Sequence, residues 1–93
     1  HQRGIRLYEQ HKYKEALATF KEAQQLAPLN SGAALNYIQT AVSYCQNTGK
    51  VELEVLKREC ANCFKTLQGL PLSDSHKQRY NYLQEQTSNL GLR

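Results

Sequence analysis

Several features that would mark a membrane protein or an enzyme are absent from this sequence. There is no run of ~18 apolar residues, about the length that a membrane-spanning helix requires. There is no glycine-rich phosphate loop, no paired-carboxylate motif and no nucleophile elbow. His11 and His76 have no evident acid or nucleophile partner and are predicted to be surface residues. We therefore expect no catalysis, no cofactor, no small-molecule substrate and no membrane target.

Charge of a single sign is also scarce, because 12 basic residues are interspersed with 8 acidic ones, for a net charge of +4. Mixed signs on helix surfaces are typical of solvated faces. A nucleic-acid surface would more often be a patch of one sign with glycines and aromatic residues between the charges. The pattern therefore disfavours nucleic acid as a partner.

Cysteine is too scarce for a disulfide scaffold, because Cys45, Cys60 and Cys63 cannot all pair with one another. A reducing cytoplasm is the simpler interpretation. Cys60 and Cys63 form a C-x-x-C motif that, with Cys45 and His76, could in principle bind zinc. Both residues fall in the middle of a predicted helix beside Phe64, where free thiols behave as small apolar groups. We therefore predict neither a metal site nor a redox dithiol.

Apolar residues recur at spacings of three and four and never alternate strictly, which predicts an all-α fold. Proline and glycine mark the breaks, at Pro28, at Gly49 and between Gly69 and Ser75. These breaks define about five helices, near residues 2–11, 13–26, 31–46, 51–68 and 74–89. The predicted capping residues are Asn30 or Ser31 for the third helix, Gly49 at its end, and Ser73 or Asp74 for the fifth.

Each helix has an apolar side, and the third has two. The residues predicted to point inward are Ile5, Leu7 and Tyr8 on the first helix, Leu35, Ile38, Val42 and Cys45 with Ala34, Tyr37, Ala41 and Tyr44 on the third, Leu53, Leu56, Cys60, Cys63, Phe64 and Leu67 on the fourth, and Tyr80, Leu83, Thr87 and Leu90 on the fifth. Two apolar stripes predict that the third helix is internal. The thin stripe of the fifth suits a capping helix at the end of a stack.

The second helix puts alanine on its core-facing side, where leucine would be usual. Ala16 and Ala23 lie four residues before and three residues after Phe20. Because the distance between helix axes depends on the size of the contact residues, small side chains permit a close approach. We predict that this helix lies close to its neighbours, with Tyr13 and Phe20 filling the space beside the alanines.

This pattern resembles the tetratricopeptide repeat, a two-helix motif with Gly, Tyr, Ala, Phe and Pro at set intervals over 34 residues. The matching residues are Gly4, Tyr8, Tyr13, Ala16, Phe20, Ala23 and Pro28. The resemblance implies an antiparallel helix-turn-helix stack, with residues 1–30 as one repeat. Residues 31–70 would be a degenerate, lengthened helix pair. In it, Cys60, Phe64 and Leu67 correspond to Ala16, Phe20 and Ala23 but lie 44 rather than 34 residues later. Residues 73–90 would form the C-terminal capping helix of one domain, itself expected to be a fragment of a longer chain.

The resemblance further implies a binding scaffold, in which a concave groove holds a peptide or helix of a partner protein. The groove candidates are Ile5, Tyr8, Glu9, Leu35, Gln39, Val42 and Ser43. An alternative interpretation is that Leu35 and Val42 are core residues and do not line a groove. Some family members clamp a partner's C-terminal carboxylate. Asn36 would suit such a clamp, but His1 and Ile5 occupy positions that need Lys and Asn, so we do not expect one.

A narrower resemblance concerns the order of "GIRLYEQHKYKEAL", "LNYIQTAV" and "HKQRYNYL". This order is similar to the C-terminal region of bacterial response regulators that join a receiver domain to tetratricopeptide-like helices. It implies an output or docking module of a cytoplasmic signalling protein. The alternative is a homo-oligomer, in which these helices dimerise the parent protein without an external ligand.

Overall fold

The computed structural model describes residues 2–48 and 53–92. Within these ranges the chain forms five helices and no strand, which confirms the predicted all-α fold. The helices are α1 (Gln2–Glu9), α2 (Tyr13–Leu26), α3 (Ser31–Thr48), α4 (Leu53–Gln68) and α5 (Asp74–Asn89). Four pairs pack extensively: α1 with α2, α2 with α3, α3 with α4, and α3 with α5.

The centre of the fold is α3, because α2, α4 and α5 all pack against it. The sequence of this helix contains no Asp, Glu, Lys or Arg, so burial on several sides desolvates no charged side chain. Leu35, Ile38 and Ala41 have no exposed surface. The prediction of an internal helix from its two apolar stripes is therefore confirmed.

The contact between α1 and α2 depends on a glycine. A Cβ atom at Gly4 would lie 2.6 Å from Cε1 and 2.8 Å from Cζ of Phe20, too close for any side chain. Phe20 and Ala16 are buried in the core beneath α1, whereas Ala23 is half-buried. The close approach of the two helices thus rests on Gly4 and Ala16 more than on Ala23.

The first helix ends at Glu9, two residues before the predicted end at His11, because the chain turns there. His11 adopts a left-handed conformation with φ of 60°. The Lys12 N–H donates to the Leu7 carbonyl oxygen at 2.8 Å, and the His11 N–H donates to that of Tyr8 at 3.0 Å. This pair of bonds is a Schellman motif, which satisfies the last carbonyl groups of α1 and stops the helix.

The last helix ends in the same motif, built on a glycine. Gly91 has φ of 76°, and the Leu92 N–H donates to the Thr87 carbonyl oxygen at 2.8 Å. The turn carries Leu92 back onto the core, where its side chain is fully buried. Sequence reasoning placed no core residue beyond Leu90, which is itself only half-buried.

Two predicted helix caps are present. Asn30 Oδ1 accepts a hydrogen bond from the Ala33 N–H at 3.2 Å, and Ser73 Oγ accepts one from the His76 N–H at 3.2 Å. Each bond satisfies one of the free N–H groups at a helix start. The predicted C-cap Gly49 and the predicted start of the fourth helix at Val51 lie outside the described residues. The third helix continues to Thr48, past the predicted end at Gln46.

Two residues predicted to point inward are exposed instead. Ile5 retains 39% of its surface, because Gly4 is the residue of α1 that meets Phe20 and the next side chain is turned to another side of the helix. Leu53 retains 38%, since it lies one turn before Leu56, the first residue of α4 that reaches the core. Leu53 is the first residue of α4, whereas Ile5 lies in the middle of α1, a helix whose extensive packing involves α2 alone.

Candidate functional site

A row of small and polar residues runs along one face of α3. Gly32, Asn36, Gln39 and Ser43 follow one another at spacings of four, three and four, so they share this face. The first three are half-buried and Ser43 is 7% exposed, while apolar positions such as Leu35 on the adjoining side are fully buried. We call these four residues the α3 strip.

One edge of the α3 strip is set by α1. The hydroxyl groups of Tyr8 and Ser43 are hydrogen-bonded at 2.7 Å. The Tyr8 ring meets the Tyr13 ring edge to face at 5.6 Å, and the Tyr13 hydroxyl in turn bonds to His11 Nδ1 at 2.7 Å. Tyr8 is therefore held from both sides. Such a fixed aromatic side chain is a suitable wall for a binding surface.

The other edge is set by α5. The Arg79 Nη2 group donates a hydrogen bond to Asn36 Oδ1 at 3.1 Å. Partial burial lowers the pKa of Arg79, because removing water disfavours the charged guanidinium. The only ion pair among residues 2–48 and 53–92 joins Lys21 to Glu59 at 3.3 Å, so Arg79 has no carboxylate partner there. The strip thus has an uncompensated cation at one edge.

A second contact joins α5 to the start of α3. His76 Nδ1 and Ser31 Oγ are hydrogen-bonded at 2.9 Å. The prediction that His76 is a surface residue is therefore wrong, since its side chain is half-buried between the two helices. Together with Arg79 and Asn36, this contact fixes the position of α5 beside the strip.

The predicted groove residues divide into three groups. Gln39 and Ser43 belong to the α3 strip, and Tyr8 forms its edge. Leu35 and Val42 are 0% and 2% exposed, so they offer no surface to a partner and the alternative interpretation as core residues holds. Ile5 and Glu9 are exposed on α1, and neither makes a hydrogen bond or an ion pair with a strip residue among those described.

The predicted packing residues of the repeat are mostly interior. Gly4, Tyr13, Ala16 and Phe20 are buried, Ala23 is half-buried, and Pro28 is exposed in the turn after α2.

Sequence reasoning missed Arg79 as a site residue. No signal in the sequence distinguishes it from the other cations of α5, because its role depends on which neighbour this helix packs against.

The three thiols lie inside the helix bundle or at its edge. Cys60 and Cys63 are buried and Cys45 is half-buried, and the Cys63 thiol donates to Gln24 Oε1 at 3.5 Å. Burial raises the pKa of Cys60 and Cys45, and it raises the pKa of Cys63 to about 11 although the hydrogen bond between Cys63 and Gln24 acts in the other direction. Metal ligation and nucleophilic attack both require the thiolate, which burial disfavours here. In the described part of the chain, no three His, Cys, Asp or Glu side chains are grouped to hold a metal ion.

Comparison with known proteins gave no match to any family model, curated protein or solved structure. The likeness to the tetratricopeptide repeat therefore stays a resemblance carried by residue types and their spacing. None of the helices within residues 2–48 and 53–92 combines the length and the apolarity needed to cross a membrane.

Proposed function

We propose that this protein is a non-catalytic protein-interaction module whose α3 strip binds a segment of a partner protein. The observation that carries the proposal is the strip itself: a polar face on a central helix that is apolar on its other sides. Gln39 is half-buried in the middle of this face, and its side-chain amide makes no hydrogen bond to any described residue. A side-chain amide both donates and accepts hydrogen bonds, as the backbone of a bound peptide requires.

The edges of the strip support a partner with a particular chemistry. Arg79 is a half-buried guanidinium without a carboxylate among the described residues, and such a group binds carboxylates with two parallel hydrogen bonds. Tyr8 provides an aromatic surface at Ser43, seven residues further along the strip than Asn36. The proposed partner segment therefore carries an acidic group near Arg79. The site is built on helices held by hydrogen bonds, so little ordering cost falls on this protein during binding.

The biological setting rests on the sequence resemblance alone. We propose that the chain is the output or docking region of a bacterial response regulator with a receiver domain, acting in the cytoplasm. Phosphorylation of the receiver would then control access of a partner to the strip.

Selection from a displayed peptide library tests the proposal, followed by affinity measurements on three proteins. The Gln39→Glu variant places a carboxylate in the middle of the strip, where it repels the acidic group of the segment, and it should weaken selected peptides by tenfold or more. The Lys57→Gln variant changes an exposed residue of α4 and serves as the matched control, with affinity unchanged. Equal affinity for all three proteins, or a library that yields no binding peptide, would contradict the proposal.

A second candidate is self-association of the parent protein through α1. The observation in its favour is Ile5, which is 39% exposed on a helix whose extensive packing involves α2 alone. Sedimentation at several concentrations separates the two candidates. A dimer that dissociates in the Ile5→Lys variant favours self-association, whereas a monomer at all concentrations favours the external partner.

A further inference from the structure

A second surface lies away from the α3 strip, where α4 ends and α5 begins. It is an open cleft of about 430 Å³, whose lining includes Leu67, Gln68, Leu70, Leu72, Lys77 and Tyr80. We call it the α4–α5 cleft. Its volume is within the range of pockets that hold small ligands or single side chains.

The interior of the α4–α5 cleft is apolar and firmly held. Leu67 is 1% exposed and forms part of the core, while Leu70, Leu72 and Tyr80 are half-buried. The Tyr80 ring meets the Phe64 ring edge to face at 5.5 Å, and its hydroxyl accepts a hydrogen bond from Gln68 Nε2 at 3.4 Å. These contacts fix the ring in place. The cleft therefore suits one apolar side chain that needs burial.

Lys77 is the charged side chain that lines the cleft. Lys77 is exposed, and it forms no ion pair within residues 2–48 and 53–92. None of the residues lining the cleft is acidic. Asp74, three residues before Lys77, belongs to the first turn of α5, where a carboxylate interacts favourably with the helix N-terminus. An acidic group on a ligand would therefore find at the rim a cation that forms no ion pair with a described residue.

The backbone at the edge of the cleft favours a protein segment as the ligand. Residues 71–73 belong to no helix or strand, and Leu72 makes no backbone hydrogen bond to any described residue. An extended chain that binds alongside can pair with such groups. We propose that the α4–α5 cleft binds an extended acidic segment of a partner protein, with one apolar side chain between Leu70, Leu72 and Tyr80 and a carboxylate beside Lys77.

Three short capped peptides test this proposal by NMR titration of the isotopically labelled protein. Their sequences are Glu-Leu-Glu, Glu-Ala-Glu and Lys-Leu-Lys. We expect Glu-Leu-Glu to give saturable shifts in the amides of residues 67–80 at millimolar concentration. The alanine peptide should bind about tenfold more weakly, since it lacks most of the buried apolar surface. The basic peptide should give no saturable shift.

Charge reversal at Lys77 distinguishes binding at the cleft from non-specific attraction of an acidic peptide to a basic protein. The Lys77→Glu variant should weaken Glu-Leu-Glu by about 3- to 10-fold and bring binding of Lys-Leu-Lys. The Lys57→Glu variant changes the net charge equally on an exposed part of α4, and it should leave both affinities as in the wild type. Equal effects of the two variants, or shifts that are not saturable, would overturn the proposal.

Binding at the α3 strip is distinguished by the Gln39→Glu variant. This change should leave the titration of the cleft with Glu-Leu-Glu as it is in the wild type. If instead the shifts lie along residues 32–43 and disappear in Gln39→Glu, the peptide binds the strip and the inference about the cleft is wrong.

Discussion

Replacing Gly4 by alanine tests the packing of α1 on α2, which sets the position of Tyr8 beside the strip. The added Cβ would lie 2.6 Å from Cε1 of Phe20, against 3.4–4 Å for an ordinary contact. Phe20 is 2% exposed, so its ring cannot move aside without disturbing the core. Overpacking of this kind costs about 1–3 kcal/mol. Alanine gains up to about 1 kcal/mol over glycine in a helix, so the net loss is about 0–2 kcal/mol.

Gly32→Ala is the matched control, because it also exchanges a glycine for an alanine within a helix. Its Cβ would meet only Asn30 Oδ1, at 3.2 Å, so the expected cost is a shift of a few tenths of an ångström in the hydrogen bond by which this atom caps α3. The propensity gain is similar in both variants and cancels in the comparison. Gly4→Ala should therefore be less stable than Gly32→Ala by about 1–3 kcal/mol.

Urea unfolding of both variants measures this difference through the transition midpoint, provided that the m-values agree. A double-mutant cycle with Phe20→Leu adds a second check, since a smaller side chain at this position makes room for the Cβ. The two changes should then cost about 1 kcal/mol less together than the sum of their separate effects. Equal stability of Gly4→Ala and Gly32→Ala, or strict additivity in the cycle, would refute the close packing of α1 on Phe20.

Three further predictions follow from the same structure. Gly91→Ala should destabilise by about 1 kcal/mol, because φ of 76° disfavours any side chain while the space around it is open; a melting midpoint equal to that of the wild type would contradict this. Ala16→Leu should cost about 1–3 kcal/mol in urea unfolding and Ala23→Leu distinctly less, since only the first is fully buried; the reverse order would be inconsistent with the helix contact. Burial raises the pKa of Cys63 from 9.0 to about 11, so its contribution to stability is complete below pH 9 and is lost as the pH rises toward 11. In unfolding measured between pH 8 and 11, Cys63→Ala should lose less stability than the wild type; identical pH dependence of the two proteins would count against this.

The helices and their caps could be predicted because they depend on local chemistry. The spacing of apolar residues gives the helical period. Asn30 and Ser73 are of the residue types preferred at the N-cap, because their side-chain oxygens accept hydrogen bonds from free backbone N–H groups. The internal position of α3 also follows locally, since two apolar stripes without a charged residue require burial on more than one side.

Features that depend on the neighbours of each helix could not be predicted. Ile5 and Leu53 fit the apolar pattern, but no helix within residues 2–48 and 53–92 covers them. The end of α1 was missed because His11 adopts a left-handed conformation that glycine usually provides. Arg79 belongs to the candidate site because α5 packs on α3, and the sequence gives no sign of the partner of a cation on a polar helix.

The central claim is that α1 and α5 contact a polar strip on α3, at Ser43 and at Asn36, and that Gln39 between these contacts is partly open to solvent. Proton–proton distances from NMR in solution test it most directly. The account predicts contacts between the Tyr8 ring and Ser43 and between the Arg79 side chain and Asn36, with the Gln39 side-chain amide exchanging with water. Loss of either contact, or a Gln39 amide protected from exchange by a neighbouring helix, would contradict it.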